Sequence, residues 1–234
     1  MRNKLLFILF FSSVLCIIIY NIYKEKGIYY LALGELPKDQ YRYEYQDYVI
    51  DYFKENKMLK RYNKNFLREN YNTETFLDLI NNSETSINEG EKETITKAID
   101  RSNLITISLG NNELEEIINK NKRMINYKEI DNIFINYDKI LSKIRLLTKT
   151  PIIIIGYFNT YDKEDSNIDK TYIYAESKLN DFLEYENTYI IKLYNEFKNS
   201  IYTEKLDKIS PSIEGYKYIS NKIIEIYNLE IKGC

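Results

Sequence analysis

Two short runs leave this chain little choice of architecture. Residues 104–109 (LITISL) and 151–157 (PIIIIGY) are almost continuously apolar, and glycines punctuate both, at Gly110 and Gly156. Side chains on a strand point alternately to its two faces, so a run apolar on both faces belongs to a strand buried on both. Between them, residues 128–147 place Ile130, Ile133, Phe134, Tyr137, Ile140, Leu141 and Ile144 on one helical stripe. Doubly buried strands separated by amphipathic helices imply a largely parallel sheet covered on both sides. Right-handed crossovers then give a three-layer α/β/α, doubly wound domain of about five strands.

The remaining elements follow the same alternation. Residues 28–33 (IYYLAL) predict a strand stopped by Gly34, and 40–56 a helix with Tyr45, Tyr48, Val49, Tyr52 and Phe53 at helical spacing. A second strand is expected at 62–67, a helix at 73–80 with Thr73 as N-cap, and another helix at 91–99. Helix 170–183, strand 188–193 and helix 212–227 complete the chain. Ligands of such sheets bind beyond the carboxyl ends of the strands, near the switch in strand order. Segments 34–39, 110–113 and 194–212 are therefore expected on one rim.

The N-terminus is different in kind. Residues 5–23 (LLFILFFSSVLCIIIYNIY) are about nineteen without a charge, near the ~20 a membrane-spanning helix requires. Arg2 and Lys4 precede the run and Lys24 and Lys26 follow it, so the expected orientation is N-terminus inside and domain outside. Tyr20, Asn21, Ile22 and Tyr23 offer no small-x-small cleavage site, and Leu15 before Cys16 does not fit a lipoprotein signal. An uncleaved signal anchor over 1–26, followed by one domain over 27–234, is preferred to a cleaved signal peptide.

Composition excludes several functions. A formal net charge of -2 gives no broad basic surface for nucleic acid. The two cysteines, Cys16 and Cys234, form no disulfide framework or metal pattern, and no cofactor is indicated. The sequence contains no histidine, which rules out imidazole-based zinc sites and imidazole general bases.

Three segments resemble the sequence blocks of SGNH (GDSL-type) hydrolases. Tyr30-Leu31-Ala32-Leu33-Gly34-Glu35-Leu36 is similar to a strand running into Gly-Asp-Ser. Thr106-Ile107-Ser108-Leu109-Gly110-Asn111-Asn112-Glu113-Leu114 resembles the strand and Gly-x-Asn-Asp of a later block. Asp207-Lys208-Ile209-Ser210-Pro211-Ser212, with Gly215-Tyr216, resembles the closing Asp-x-x-His-Pro element. The stretch 137–159 is similar to one bacterial, extracytoplasmic branch of the family. The resemblance implies the α/β/α fold and a site at Gly34, Glu35, Gly110, Asn112 and Asp207. It sets the nucleophilic serine on Leu36 and the histidine on Ser210, and the second-block glycine falls near Asn70. Asn112 matches the oxyanion asparagine, and Asp207 matches the aspartate that orients the histidine.

Leucine supplies no nucleophilic atom, so an acyl-enzyme route through this frame is not expected. Bland roles compete for the retained residues: Asp207 as a cap or turn residue, Asn112 as turn chemistry after glycine. Glu35, Glu113, Asp207 and Asp39 could instead pair for acid/base hydrolysis or hold a hard cation, although solvated carboxylates are the commoner outcome. A Ser210–Lys208 dyad has no enforced geometry. Tyr41, Tyr43, Tyr45, Tyr48 and Tyr52 could stack on glycan rings, but the last three have the spacing of a core-packing helix face. The expectation is a membrane-anchored, catalytically silent SGNH-like domain that binds a cell-envelope glycan or acyl ligand or a protein of a membrane complex. The alternative is an active envelope hydrolase with carboxylate chemistry.

Overall fold

A computed structural model describes residues 27–36, 43–69, 71–88, 90–120, 124–159, 166–198, 200–205 and 209–232, with the main chain alone at 204, 205, 209 and 210. The apolar run 5–23 lies outside the described residues, as does the rest of 1–26. Among the described residues no helix is long and apolar enough to cross a membrane.

The strands are β1 (Ile28–Glu35), β2 (Leu59–Arg68), β3 (Thr85–Asn88), β4 (Glu91–Thr94), β5 (Leu104–Ser108), β6 (Ile152–Ile155), β7 (Thr188–Ile191), β8 (Thr203–Lys205) and β9 (Ile209–Pro211). The helices are α1 (Tyr45–Glu55), α2 (Thr73–Asn81), α3 (Ile95–Arg101), α4 (Asn111–Lys120), α5 (Tyr127–Leu147), α6 (Ser166–Lys178), the single turn α7 (Tyr194–Phe197) and α8 (Ile213–Ile226). The five-stranded sheet runs β2-β1-β5-β6-β7, parallel throughout. Two small antiparallel hairpins, β3-β4 and β8-β9, lie outside it.

The period of two is visible along β1. Tyr29, Leu31 and Leu33 face one core, with Phe76, Ile99, Ile130 and Tyr137 from the helices. Ile28, Tyr30 and Ala32 face the other, with Val49 and Phe53 of α1 and Ile219 and Ile223 of α8. The isoleucines of β6 divide in the same way, Ile152 and Ile154 to the first core and Ile153 and Ile155 to the second. This is the three-layer α/β/α arrangement expected. Helix α5 buries the seven residues of its predicted stripe. Its N-terminus is capped by Asn126, whose side chain accepts from Glu129 N–H, and it ends at Thr148, shortly before Pro151. Each fully buried aliphatic of this stripe contributes roughly 1.5–3 kcal/mol of transfer free energy.

Several boundaries differ from expectation for local reasons. Residues 91–94 are strand, not helix. The buried Glu93 carboxylate accepts from the Tyr29 hydroxyl at 2.5 Å and the Asn63 amide at 3.0 Å, which holds this segment extended against the sheet. Helix begins only after Thr94, whose hydroxyl caps Lys97 N–H. The N-cap of α2 is Asn72, not Thr73; the Thr73 hydroxyl is drawn to Glu113 instead. Helix α1 starts at Tyr45, where the Asp47 carboxylate accepts Glu44 N–H. Asn111 and Asn112, read as turn residues, open α4, which was not anticipated. The expected helix 170–183 begins at Ser166 and tightens into a 3-10 turn at Leu179.

Candidate functional site at the carboxyl ends of the strands

The order β2-β1-β5 reverses direction at β1, so the crevice beyond the carboxyl ends of β1 and β5 is the topological switch point. Gly34 and Gly110 close the two strands there with φ of 114° and 103°, a region that only glycine enters without strain. A Cβ on Gly34 would stand 1.9 Å from Ser108 O, and one on Gly110 would stand 2.9 Å from the Tyr157 hydroxyl oxygen. Both glycines thus serve close approach between main chain and its neighbours.

Glu35, 3% exposed, points across this junction. Its Oε1 accepts Asn111 N–H at 2.6 Å and its Oε2 accepts Asn112 N–H at 3.1 Å. These are among the unpaired donors at the start of α4, where the helix dipole also favours negative charge. Burial pushes the Glu35 carboxyl up to about 8, and the Asn112 and Asn111 N–H bonds pull against that rise. Glu113 does the corresponding task for α2, accepting Thr73 N–H at 2.7 Å and the Thr73 hydroxyl at 2.8 Å. Burial raises its carboxyl as well. Glu35 and Glu113 are therefore each bound to the first turn of a helix. Asp39 and Asp207 lie outside the described residues, as does Asn70.

Asn112 holds the β2–α2 connection in place: its amide donates to Glu69 O at 2.9 Å and to Tyr71 O at 3.3 Å. Leu36, half-buried, packs against the core beneath α1 and α8, and its N–H donates to Arg68 O at 3.1 Å. Among the described residues, the donors at this junction are the Leu36, Asn111 and Asn112 N–H groups and the Asn112 amide. Each already donates to a protein acceptor.

The closing element is ordered around Ser212. Its hydroxyl donates to Ile201 O at 2.6 Å and accepts Gly215 N–H at 3.1 Å, capping α8. A Cβ on Gly215 would stand 2.1 Å from Tyr202 O, and Tyr216 is buried in the second core. The main chain of Ser210 pairs with Glu204 across the β8-β9 hairpin. Lys208 lies outside the described residues.

Sequence reasoning missed what lies under Glu35. Tyr137 and Tyr157 are both fully buried, and their hydroxyls have no hydrogen-bond partner among the described residues. Burial holds both phenols well above their usual range, and the Glu35 charge adds to this. A tyrosine inside an apolar run such as 151–157 is the one sequence signal, since its hydroxyl must go somewhere. Of the tyrosines weighed as a glycan platform, Tyr45 is buried and Tyr48 and Tyr52 pack on the second core. Tyr43 is 43% exposed and meets Tyr48 edge-on at 4.7 Å; Tyr41 lies outside the described residues. No cluster of three metal-binding side chains occurs among the described residues.

Solved structures that share this architecture include ester hydrolases. The lipase Lip_vut3 from a goat rumen metagenome superposes with a TM-score of 0.68 at 18% identity, over 85% of this chain and 97% of that one. Axe2, an acetylxylan esterase from Geobacillus stearothermophilus, gives 0.65 at 13% identity, over 88% and 98%. A lipolytic protein of the G-D-S-L family from Veillonella parvula gives 0.59 at 11% identity, over 87% and 100%. The chain has the α/β/α fold of the SGNH (GDSL-type) hydrolases. No protein-family model and no curated protein matches its sequence.

Proposed function

We propose that the protein is a membrane-anchored, extracytoplasmic SGNH-fold pseudoenzyme that binds a cell-envelope glycan or acyl ligand, or a protein partner, through the strand-end rim. One observation carries the loss of catalysis. Leu36 stands at the end of β1 where the resemblance sets a nucleophile, and among the described residues its own N–H, those of Asn111 and Asn112 and the Asn112 amide are committed to Arg68, Glu35, Glu69 and Tyr71. Acyl transfer needs an activated nucleophile and free donors aimed at the developing oxyanion. The chain has no histidine to act as base. Anchoring is supported by the uncharged run 5–23 and its flanking cations. The ester hydrolases of like fold support an acyl-bearing ligand.

The test is a chromogenic short-chain ester assay on the purified full chain, beside Asp207→Ala and Glu113→Gln variants. The expected rate is that of buffer for all three. Robust turnover that disappears in either variant would overturn the pseudoenzyme reading and favour carboxylate-based hydrolysis.

A further inference from the structure

The five parallel strands enter the sheet at one end and leave it at the other, and the two ends differ in charge. The entry end is a closed surface. Ile28 N–H donates to Met58 O at 2.7 Å, Asn103 N–H to Tyr29 O at 2.9 Å, and Ile152 N–H to Asn187 O at 2.9 Å. The Thr150 hydroxyl donates to Ser102 O at 2.7 Å and the Asn187 amide to Lys149 O at 3.1 Å. These loops and the start of β2 carry Lys57, Lys60, Arg101 and Lys149, all exposed, against Glu186, which pairs with Lys149 at 3.5 Å. Glu55 and Asp100 stand on the last turns of the adjoining helices. Arg101 meets the carboxyl end of α3, and Lys57, whose N–H donates to Lys54 O at 2.9 Å, meets that of α1, but Lys60 lies on β2 and has no such task. The described residues where β1, β2 and β5 leave the sheet are acidic in balance, with Glu44, Glu69 and Glu113 against Arg68, besides the buried Glu35.

The tether selects which end meets the bilayer. Gly27, the first described residue, lies against Lys60: a Cβ there would be 2.6 Å from Lys60 Cβ. Residues 24 to 28, joining the apolar run to β1, reach about 17 Å fully extended. The rim lies a whole strand further away, roughly 26 Å along β1. We propose that the entry end, through Lys57, Lys60, Arg101 and Lys149, is a membrane-apposed surface that binds anionic phospholipid headgroups and points the rim away from the bilayer. This rests on the anchored reading above. A cation held near an anionic surface contributes about fivefold to its occupancy, and salt screens it within a Debye length.

The experiment uses the full chain with Cys16→Ser and Cys234→Ser, carrying one dye on Glu55→Cys or on Glu69→Cys. It is reconstituted in vesicles of phosphatidylcholine, alone or mixed with phosphatidylglycerol, containing a headgroup-labelled energy acceptor. With phosphatidylglycerol at low salt, transfer from position 55 is expected to exceed that from position 69, and added salt to reduce the difference. Lys57→Glu, Lys60→Glu and Arg101→Glu together should shift the orientational balance by about a hundredfold or more and remove the part of the difference that phosphatidylglycerol adds over phosphatidylcholine alone, with the thermal midpoint confirming the fold. Equal transfer from both positions in chains that survive an alkaline wash overturns the apposed surface and leaves the anchor standing. Release of the chain by the wash overturns the anchored reading and this proposal with it.

Discussion

Glu35→Gln separates the structural from the chemical meaning of the rim. In the folded chain this carboxyl keeps its proton up to about 8, against an ordinary value of 4.5 for the unfolded chain. Between those values the folded state binds more protons than the unfolded one, so stability falls as pH rises through the window. One proton bounds the slope at about 1.4 kcal/mol per pH unit. Glutamine is isosteric and does not titrate, but its amide nitrogen must face one of the Asn111 and Asn112 N–H donors. One buried N–H left unpaired costs about 1–3 kcal/mol. Urea unfolding of both proteins from pH 5 to pH 8 should therefore show the variant less stable at pH 5, with the gap narrowing as pH rises. The charged and titratable groups acting on this site, Glu113 and Glu115 of α4, Tyr137 of α5 and Tyr157, are common to both proteins and largely cancel in the difference. A gap that is constant, or widens with pH, would show that Glu35 is ionised at the helix terminus throughout and would refute the reasoning.

Other substitutions test the same frame. Asn112→Ala removes the donations to Glu69 O and Tyr71 O and should cost about 1–3 kcal/mol in urea unfolding; an unchanged midpoint would free Asn112 for another role. Ser212→Ala loses the α8 cap and the bond to Ile201 O, for about 1–2 kcal/mol by the same measurement. Ile140→Ala opens a cavity in the middle of the α5 stripe and should cost about 2–5 kcal/mol. Gly34→Ala forces a Cβ to within 1.9 Å of Ser108 O, and thermal unfolding should show it worse than Ile140→Ala, because main chain cannot swing aside.

The layers of the fold were legible because they depend on what is buried. The 104–109 and 151–157 runs and the α5 stripe reappear almost residue for residue. What was hidden depends on partners distant in sequence. Glu93 reads as part of a helix until Tyr29 and Asn63 are known to reach it. Asn111 and Asn112 read as turn residues because nothing local announces that Glu35, far back in the chain, will accept their N–H groups. Of the rim carboxylates, Glu35 and Glu113 were legible as neighbours but not as helix partners. Sequence puts Glu113 on the rim; only the packing of α2 beside α4 gives it Thr73. The tyrosine hydroxyls left without a partner among the described residues follow from burial, and the one local sign of them is Tyr157 inside its apolar run.

The described positions that match the SGNH blocks have structural tasks sufficient to account for them. Gly34 admits Ser108 O, Gly110 makes room for Tyr157, Glu35 satisfies the start of α4, and Asn112 ties down the β2–α2 connection. In the closing element Gly215 admits Tyr202 O and Ser212 caps α8. Leu36, which departs from the blocks, holds the strand end through its main chain and packs an apolar side chain where a hydroxyl would be of use only to chemistry. A chain released from catalysis but still required to fold would keep the first group and be free to change the second. The described matching residues therefore argue for the fold and carry no evidence of turnover, and the weight of the functional reading falls on Leu36 and on the described donors at the junction.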